Sequence, residues 1–409
     1  IRTGFSMNSP NWKKNITIFL ASQSISLFGS SLVQYAIMWY VTLETKSGIM
    51  LTIMTLCGFL PQLLISLFAG VWADRFNRKI LIIIADGGIA ISTLALALTV
   101  IFFDDFYWAL FVASAVRSVG AGIQTPAVNA LVPQIVPQDK LMKISGINGT
   151  LQSFTNLVAP AVAGVVLSWG ELQNIMFIDV VTAIIGIGML LLVPISKHKK
   201  ALENKKGGYF SDLKAGLKYC LGNKFFRQLL VVSTFYCFLI VPAAMLNVLF
   251  VTRIFGEDYI YLTLNEMTFF IGAILGGFAI SAWGGFKNRL KTLGWGGVVF
   301  GVTTIAMGLT EIFWVYLIIM VITGFAMPFN NVPLTVLVQE KADPDMQGRM
   351  FSIVQVIGAC IMPLGMAIFG PLADIIPIKW LFVTSGIGLL ILTIIVFNYK
   401  SFYKEGIKS

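Results

Sequence analysis

Residues 70–79 read Gly-Val-Trp-Ala-Asp-Arg-Phe-Asn-Arg-Lys and join two apolar runs, at about 49–73 and 80–103. Each run is long enough to cross a bilayer as a helix, which needs about 20 apolar residues. The basic residues between the runs are typical of a cytoplasmic loop, where Lys and Arg accumulate beside membrane spans. This stretch therefore predicts two membrane-spanning helices joined by a cytoplasmic turn.

Ten further apolar runs of similar length follow the same plan. The composition agrees, because 57% of the 409 residues are hydrophobic, only 12% are charged and the mean hydropathy is +0.85. A soluble domain carries about 25% charged residues, and open strands would leave backbone groups unsatisfied in lipid. We expect an all-α integral membrane protein with twelve transmembrane helices. The ten further runs lie at about 16–41, 107–132, 144–169, 173–195, 226–252, 261–284, 292–310, 313–338, 350–373 and 379–398.

The positive charges fall on alternate loops. If the N-terminus is cytoplasmic, 25 of the 29 Lys and Arg residues lie in the tails and the even-numbered loops. Lys46, Arg253 and Lys379 lie outside, and Arg117 lies within a span. This asymmetry predicts that both termini are cytoplasmic. The net charge of +10 is then expected to set orientation and contact anionic lipids rather than nucleic acid.

The longest loop divides the chain into six spans and six spans. Weak repeats relate the halves: Gln152 and Pro160 recur as Gln355 and Pro363, each 203 residues later. Two six-helix bundles joined by a basic linker are typical of secondary transporters, so we predict two pseudo-symmetric bundles. The expected regions are a tail at 1–15, with 1–6 preceding a natural start at Met7, a bundle at 16–196, a linker at 197–224, a bundle at 225–398 and a tail at 399–409.

No enzyme signature is found. The four cysteines are scattered without a zinc spacing, and the single histidine, His198, lies in a basic run. Neither a phosphate-binding loop nor a Ser/His/Asp set is present in the sequence. We expect no enzymatic activity, no cofactor and no metal.

The loop at 70–79 resembles the signature between spans two and three of the major facilitator superfamily. One position departs from it: Asn77 stands where the family has Gly, although Asn also tolerates a left-handed backbone. The resemblance implies the twelve-helix fold of that family and a role in gating. The matching residues are Gly70, Asp74, Arg75, Arg78 and Lys79.

The side chains of this signature suggest a latch. Gly70 would let two helices approach closely. Asp74 could accept hydrogen bonds from the free amides at the N-terminus of span eleven, near Arg349, where the helix dipole is positive. Such a contact would hold the halves together on the cytoplasmic side. The alternative is a turn whose charges only set the orientation.

Arg117 lies about ten residues into span four, close to the midplane. A charge at that depth is expensive and indicates a functional site. It resembles the span-four arginine of proton-coupled members of the superfamily, and it shares a helical face with Ser114 and Gln124. The alternative is a structural ion pair with a nearby carboxylate.

Span five carries Pro160 within a small-residue stretch that resembles an element of the antiporter branch of the superfamily. On the same helix, Asn148, Gln152 and Asn156 form a polar stripe with a spacing of four residues. This stripe either lines a cavity or holds neighbouring helices together.

Three carboxylates lie within spans and are candidate proton carriers: Asp86, Asp179 and Glu266. Acidic groups at membrane depth form proton relays in pumps and transporters, although a salt bridge or a helix-end role is an equal alternative for each. In span ten, Asn330 and Asn331 lie between Pro328 and Pro333, which predicts a locally broken helix suited to a gate.

We expect a substrate cavity between the halves, mainly apolar and aromatic with a few polar groups. The candidate lining residues are polar or aromatic residues within otherwise apolar spans. They are Gln23, Gln34, Tyr35, Gln124, Gln152, Asn156, Tyr236, Asn247 and Asn331.

Within the superfamily, the chain resembles the Mef-type macrolide efflux proteins. The resemblance is carried by Gly58-Phe59-Leu60-Pro61, residues 117–120, residues 125–130, and Ile178-Asp179-Val180. It implies an exporter in the cell membrane that moves a large lipophilic or amphipathic compound in exchange for protons. We expect the protein to be a monomer. Three alternatives remain: an exporter of a siderophore or another endogenous metabolite, a non-transporting membrane sensor, and a facilitative importer.

Overall fold

The computed structural model describes residues 12–103, 106–194, 209–343 and 346–406. In these four stretches the chain forms sixteen α-helices, one short 3₁₀ helix at Gln138–Lys140 and no strand. The helices are α1 (Trp12–Thr45), α2 (Gly48–Arg75), α3 (Arg78–Phe102), α4 (Tyr107–Ile135), α5 (Leu141–Trp169), α6 (Leu172–Leu191), α7 (Tyr209–Gly222), α8 (Lys224–Leu239), α9 (Val241–Met245), α10 (Asn247–Ile254), α11 (Tyr259–Trp283), α12 (Arg289–Leu309), α13 (Phe313–Lys341), α14 (Gln347–Ile375), α15 (Ile378–Asn398) and α16 (Lys400–Glu405).

Ten helices in the described part of the chain are long and apolar enough to cross a membrane. They are α1, α2, α3, α5, α6 and α11 to α15, and the 3₁₀ helix extends the apolar stretch of α5. The 29-residue helix α4 and the α8–α10 stretch lie at the two remaining predicted spans. The expected all-α multi-pass membrane fold is confirmed.

The chain divides into two compact units. The described residues up to 40 and from 56 to 194 form the first unit, and residues 41–55 join those from 209 to 406 in the second. The end of α1 and the start of α2 thus belong to the second unit. The first part of the predicted 197–224 linker, residues 197–208 with His198, lies outside the described residues.

In the first unit, α3 packs against α4 and α6. One apolar cluster of this unit joins the start of α1, α3 and the ends of α4 and α6, and it includes Phe19, Ile82, Leu131 and Leu190. Small residues bring α3 and α4 together, since a Cβ at Gly120 would lie 2.5 Å from Ile89.

In the second unit, α11 lies against α13 and α12 lies against α15. The α11–α13 contact is made by backbones, because a Cβ at Gly272 would lie 2.1 Å from the carbonyl oxygen of Val321, and one at Gly276 would lie 2.1 Å from that of Phe325. Gly324 approaches Phe269 in the same way. Glycines four residues apart permit this approach between membrane helices.

Span seven is interrupted twice. Its helices α8, α9 and α10 end and restart at Ile240 and Leu246, and Pro242 opens the middle one. Ser385 of α15 donates a hydrogen bond to the carbonyl of Leu239 at the first interruption. Breaks at membrane depth are tolerated where a neighbouring hydroxyl satisfies the freed backbone groups.

The predicted break in span ten is wrong. Helix α13 runs without interruption through Pro328, Asn330, Asn331 and Pro333. Each proline removes a single backbone donor, and the surrounding helices of a membrane bundle support such a site. Two prolines five residues apart therefore do not break this helix, whereas the single Pro242 begins a new one.

Helix α7 lies within the predicted linker. It packs against the start of α14, where a Cβ at Gly216 would lie 2.9 Å from Ile353 and 3.1 Å from Arg349. Cys220 is fully buried against Met350. Burial raises the pKa of the Cys220 thiol to about 11, so at neutral pH this side chain is an inert apolar filler.

Candidate functional site

Arg117 of α4 forms a buried ion pair with Asp179 of α6, with 2.5 Å between Nη1 and Oδ2. Arg117 is 5% exposed and Asp179 is 0% exposed. Thr93 of α3 donates to Asp179 Oδ2 at 2.9 Å and accepts from Arg117. Ser30 of α1 donates to Asp179 Oδ1 at 3.3 Å, and its carbonyl accepts from Arg117 Nη2 at 3.0 Å. This cluster joins four helices of the first unit and satisfies both charges.

A second polar cluster lies two turns away on the same helices. Gln124 of α4 donates to Asp86 of α3 at 2.6 Å, and its amide also lies 3.5 Å from the side-chain oxygen of Gln23 in α1. Asp86 is 2% exposed. On α3, Asp86 and Thr93 are seven residues apart, and on α4 the same spacing separates Arg117 and Gln124. Seven residues are two helical turns, so the two residues of each pair lie on the same face of their helix, about 10 Å apart along its axis.

The cations of the 70–79 signature bind the C-terminal ends of helices in the first unit. Arg78 donates to the carbonyls of Ala73 and Ala130 at 2.8 and 2.7 Å. Lys79 donates to the carbonyls of Leu191 and Val193 at 2.9 and 2.8 Å. Cations are favoured at helix C-termini, where the dipole is negative. These two residues thus hold the ends of α2, α4 and α6 together.

Two expectations about this signature are corrected. Asn77 has an extended backbone, with φ −67° and ψ 114°, and its side chain accepts from the Lys79 amide as the N-cap of α3. Asn is therefore used here for capping rather than for a left-handed turn. A Cβ at Gly70 would meet no described atom within 4 Å, so none of the described helices approaches Gly70 as closely as expected. The side chain of Asp74 lies outside the described residues.

The second unit contains a cavity of about 450 Å³. Tyr236 and Asn247 from span seven, Glu266 from α11 and Asn331 from α13 line it. The sequence predicted the first two and Asn331 for a cavity between the halves and Glu266 for proton transfer, and those roles stay predictions. The other lining residues are mostly aromatic or apolar: Val232, Ser233, Cys237, Ile240, Ala243, Ala244, Phe269, Phe270, Leu293, Phe300, Met320, Thr323, Met327, Asn330, Leu334 and Met362. This composition is typical of a site for a lipophilic molecule.

Asp374, in the last turn of α14, caps the N-terminus of α2. Its carboxylate accepts from the amides of Gly48 and Ile49 at 2.7 and 2.9 Å and from the Ser47 hydroxyl at 2.9 Å. Arg253 adds an ion pair to it at 2.5 Å. A carboxylate at a helix N-terminus is stabilising by up to about 2 kcal/mol where it is partly buried.

Further contacts fix the 41–55 segment at this place. Arg253 also donates to the carbonyl of Lys46 at 3.0 Å from Nε. A Cβ at Gly48 would lie 2.0 Å from the carbonyl oxygen of Gly370, and the Thr52 hydroxyl donates to the carbonyl of Met366 at 3.1 Å. We call Asp374, Arg253 and the 41–55 segment the α2 clasp.

Sequence reasoning missed Asp374, Arg253, Ser30 and Thr93. The sequence did contain a signal for Asp374. An acidic residue in the last turn of a helix is disfavoured by the dipole of that helix, which indicates that its carboxylate binds a group outside its own helix. Ser30 and Thr93 carry no such signal, since hydroxyls are common within membrane helices.

The remaining predicted cavity residues belong to the first unit. Gln34, Gln152 and Asn156 are exposed, and Tyr35 lies against Trp39 with ring centroids 5.6 Å apart. They line neither polar cluster described above, and their role stays a prediction.

Apolar helices that enclose buried charges, a polar network and a ligand-sized cavity are typical of a multi-pass membrane transporter. The chain belongs to the Major Facilitator Superfamily, whose model matches residues 19–363 and 242–405.

Relatives of similar length support the assignment. The chain is 30% identical over 387 residues to macrolide efflux protein A of Streptococcus pyogenes, covering 94% of this chain and 96% of that protein. It is 25% identical over 361 residues to a putative bacilysin exporter of Bacillus subtilis, covering 85% and 86%. It is 20% identical over 387 residues to the staphyloferrin A transporter of Staphylococcus aureus, covering 93% and 94%.

Solved structures show the same fold at low sequence identity. The nucleoside transporter NupG aligns with a TM-score of 0.73 and 15% identity, covering 95% of this chain and 99% of that one. A D-xylose–proton symporter aligns with a TM-score of 0.71 and 13% identity, covering 94% and 97%.

Proposed function

We propose that this protein is a secondary active exporter that moves a large lipophilic or amphipathic compound of the macrolide type out of the cell, in exchange for protons. The observation that carries the proposal is the 30% identity to macrolide efflux protein A over 94% of the chain. The aromatic cavity in the second unit supports it, since about 450 Å³ lies within the range of drug-binding pockets. The cell membrane is the proposed location, with both termini cytoplasmic.

Proton exchange would use acidic groups in the bundle interiors. Asp86 and Glu266 are the candidates that lie apart from a described ion pair, whereas Asp179 is held by Arg117. The expected coupling is tested in proteoliposomes that contain the purified protein. An imposed pH gradient should drive uptake of radiolabelled erythromycin, and dissipating the gradient should abolish it. Flux that is unaffected by the gradient would contradict proton exchange.

Alternating access would require the α2 clasp to open. The start of α2 is held by the second unit, while the rest of the helix belongs to the first. Release of the 41–55 segment would therefore free α2 to move with the first unit. Asp374 and Arg253 form the less exposed of the two described ion pairs that contact this part of the chain, and Asp374 also accepts from the Gly48 amide.

We expect Asp374→Asn to shift the clasp towards its open form. Losing up to about 2 kcal/mol of helix-end stabilisation corresponds to a population change of somewhat more than tenfold. Spin labels at Met50 and Trp380, both exposed residues of the second unit, in a cysteine-free background should report a longer distance. Macrolide flux should fall.

Glu257→Gln is the matched control, because it removes a nearby charge whose ion pair with Lys46 is 45% and 60% exposed. Exposed pairs contribute about 0–1 kcal/mol, so distances and flux should stay close to wild type. If Asp374→Asn behaves like this control, the clasp does not gate transport.

The latch at Asp74 stays a prediction and has a parallel test. Asp74 and Asp374 each lie one residue before the end of their helix, α2 and α14. Asp74→Asn should lower transport while cargo binding from the cytoplasmic side persists. Full transport by this variant would leave Asp74 as a surface charge.

An endogenous metabolite is the second candidate cargo. The relatives include a staphyloferrin A transporter and a putative bacilysin exporter, so a drug need not be the natural substrate. A thermal unfolding assay separates the two candidate cargoes, because a ligand that binds the folded state raises the midpoint of thermal unfolding. The purified protein is compared in the presence of macrolides and of metabolites extracted from the cells that produce it naturally.

A further inference from the structure

The cavity of the second unit has one acidic group and no balancing cation. Glu266 lines it, and none of the twenty residues named above as lining it is Lys, Arg or His. The hydrogen bond described for the Glu266 side chain comes from the amide of Asn265 at 3.4 Å. That distance lies beyond the usual range of 2.7–3.2 Å for an N–H···O bond. Asn265 is itself engaged by the Tyr316 hydroxyl at 3.1 Å.

Two more polar atoms in the same wall have no hydrogen-bond partner in the described structure. They are the Tyr236 hydroxyl and the side-chain oxygen of Asn330, and both atoms are buried. Unpaired buried polar atoms cost free energy. Both residues line the cavity, so the polar part of its wall combines the Glu266 carboxylate with neutral polar groups.

The apolar part of the wall also favours a cation. Phe269, Phe270 and Phe300 contribute aromatic rings to the lining, and Met320 and Met327 contribute polarisable thioethers. Aromatic faces attract cations through their quadrupoles, and methionine adapts its shape to varied apolar ligands.

We propose that this cavity, lying wholly within the second unit, is a binding site for a lipophilic monocation whose charged group faces Glu266. The proposal rests on the function proposed above and names a charge class for its cargo. An anion would meet the Glu266 carboxylate with only neutral donors to compensate. A neutral ligand would leave that carboxylate without an opposite charge.

The geometry of Asp179 shows what a structural carboxylate looks like in this protein. Asp179 is fully buried and receives bonds from Arg117, Thr93 and Ser30. Glu266 is half-buried at a cavity wall. The difference assigns Glu266 to ligand binding rather than to holding the helices together.

Three probes of related shape test the charge preference: tetraphenylphosphonium as the cation, tetraphenylborate as the anion and triphenylphosphine oxide as the neutral compound. Binding to the purified full-length protein in detergent is measured by titration calorimetry. Wild type should bind the phosphonium at least about tenfold more tightly than the neutral compound, because only the cation is attracted by the Glu266 carboxylate, and charge attraction is stronger at a wall that is partly shielded from water.

Glu266→Gln should remove this preference and leave binding of the neutral compound unchanged. Glu266→Asp keeps the charge and should keep most of the preference, which also covers the case of a poorly folded Gln variant. Glu311→Gln is the control, since Glu311 is an exposed loop residue paired with Lys379. It should bind all three probes as wild type does.

Equal binding of cation and neutral compound by wild type would overturn the proposal, as would an unchanged cation preference in Glu266→Gln. Erythromycin flux in proteoliposomes is measured on the same preparations. Flux without cation preference overturns this inference alone and leaves the exporter function standing. Cation preference that depends on Glu266, without flux, supports the site and contradicts the exporter function.

Discussion

The polar interiors of the two units balance their charges differently. In the first unit, Asp179 is paired with Arg117 and accepts hydrogen bonds from two hydroxyl groups. Its carboxylate therefore has little hydrogen-bonding capacity left for a ligand. In the second unit, Glu266 faces a cavity of about 450 Å³ whose other polar groups are neutral. Buried charge is costly unless it is paired.

The comparison separates two uses of acidic residues in membrane helices. A carboxylate that is enclosed and paired holds helices in register, and its loss exposes an uncompensated partner. A carboxylate at a cavity wall keeps capacity for a proton or a ligand. Sequence alone treated Asp179 and Glu266 as equivalents, because both are single acids at similar depth in apolar runs.

The largest expected effect is on Asp179. Asp179→Asn leaves Arg117 buried at 5% exposure without an opposite charge, which typically costs about 3–5 kcal/mol. We expect a corresponding loss in the free energy of unfolding, measured by denaturant titration of the purified protein in detergent. Asp139→Asn is the control, because its ion pair with Lys140 is 69% and 50% exposed and contributes little.

Replacing both partners sharpens this test. The double variant Arg117→Met with Asp179→Leu removes the two charges together, and apolar replacements of buried pairs are often neutral in stability. It should recover most of the stability that Asp179→Asn loses. The single variants Arg117→Met and Asp179→Leu are measured beside it. If the loss in the free energy of unfolding of the double variant equals the sum of their two losses, the ion pair is not the reason for the instability of Asp179→Asn.

The next largest effect is expected from crowding the same cluster. A Cβ at Gly29 of α1 would lie 1.9 Å from the Thr182 hydroxyl and 3.0 Å from the Asp179 carboxylate. Gly29→Ala should therefore destabilise the protein by about 1–3 kcal/mol, as overpacking does. Gly88→Ala on α3 is the control, since a Cβ there meets nothing within 4 Å. Equal unfolding curves for the two variants would show that α1 can move away without cost.

Much of the fold could be predicted from the sequence because membrane spans are set by local composition. Helix α3 at Arg78–Phe102 and α5 at Leu141–Trp169 lie within a few residues of the predicted runs. The interruptions of span seven could not be predicted, because they depend on Ser385 of another helix. Proline alone was misleading, as α13 shows.

Some residues of the candidate site were named from the sequence, but their groupings could not be predicted. Asp86, Gln124 and Gln23 were each expected to be functional, yet only the packing of three helices brings them into one cluster. Asp374 was missed although it bonds two amides of α2. Its partner lies more than 300 residues away in the sequence, and no local pattern encodes that distance.

A smaller effect is expected at the second polar cluster of the first unit. In the wild type, Gln124 donates to the Asp86 carboxylate at 2.6 Å. Asp86→Asn keeps the shape of this side chain, and its neutral amide oxygen can still accept that hydrogen bond. We expect a loss of about 1 kcal/mol, the net contribution of one hydrogen bond. Gln124→Glu in the Asp86→Asn background restores the charge on the partner side. A fall of 3 kcal/mol or more for Asp86→Asn would mean that this cluster is as tightly coupled as the Arg117 pair.

The smallest effect on stability is expected for Glu266→Gln, the variant with the largest expected effect on ligand binding. Glu266→Gln removes a charge that has no described ion pair and lines an open cavity, so the folded state loses no buried partner. We expect the free energy of unfolding to change by no more than about 0.5 kcal/mol, as for substitutions away from packed sites. The measurement is the same denaturant titration used for Asp179→Asn, so that the two acids are compared directly. A loss close to that of Asp179→Asn would show that Glu266 holds the second unit together, and the contrast between the two units would then be wrong. A gain in stability would sharpen the contrast instead, because residues that serve ligands are commonly kept at a cost to the stability of the fold.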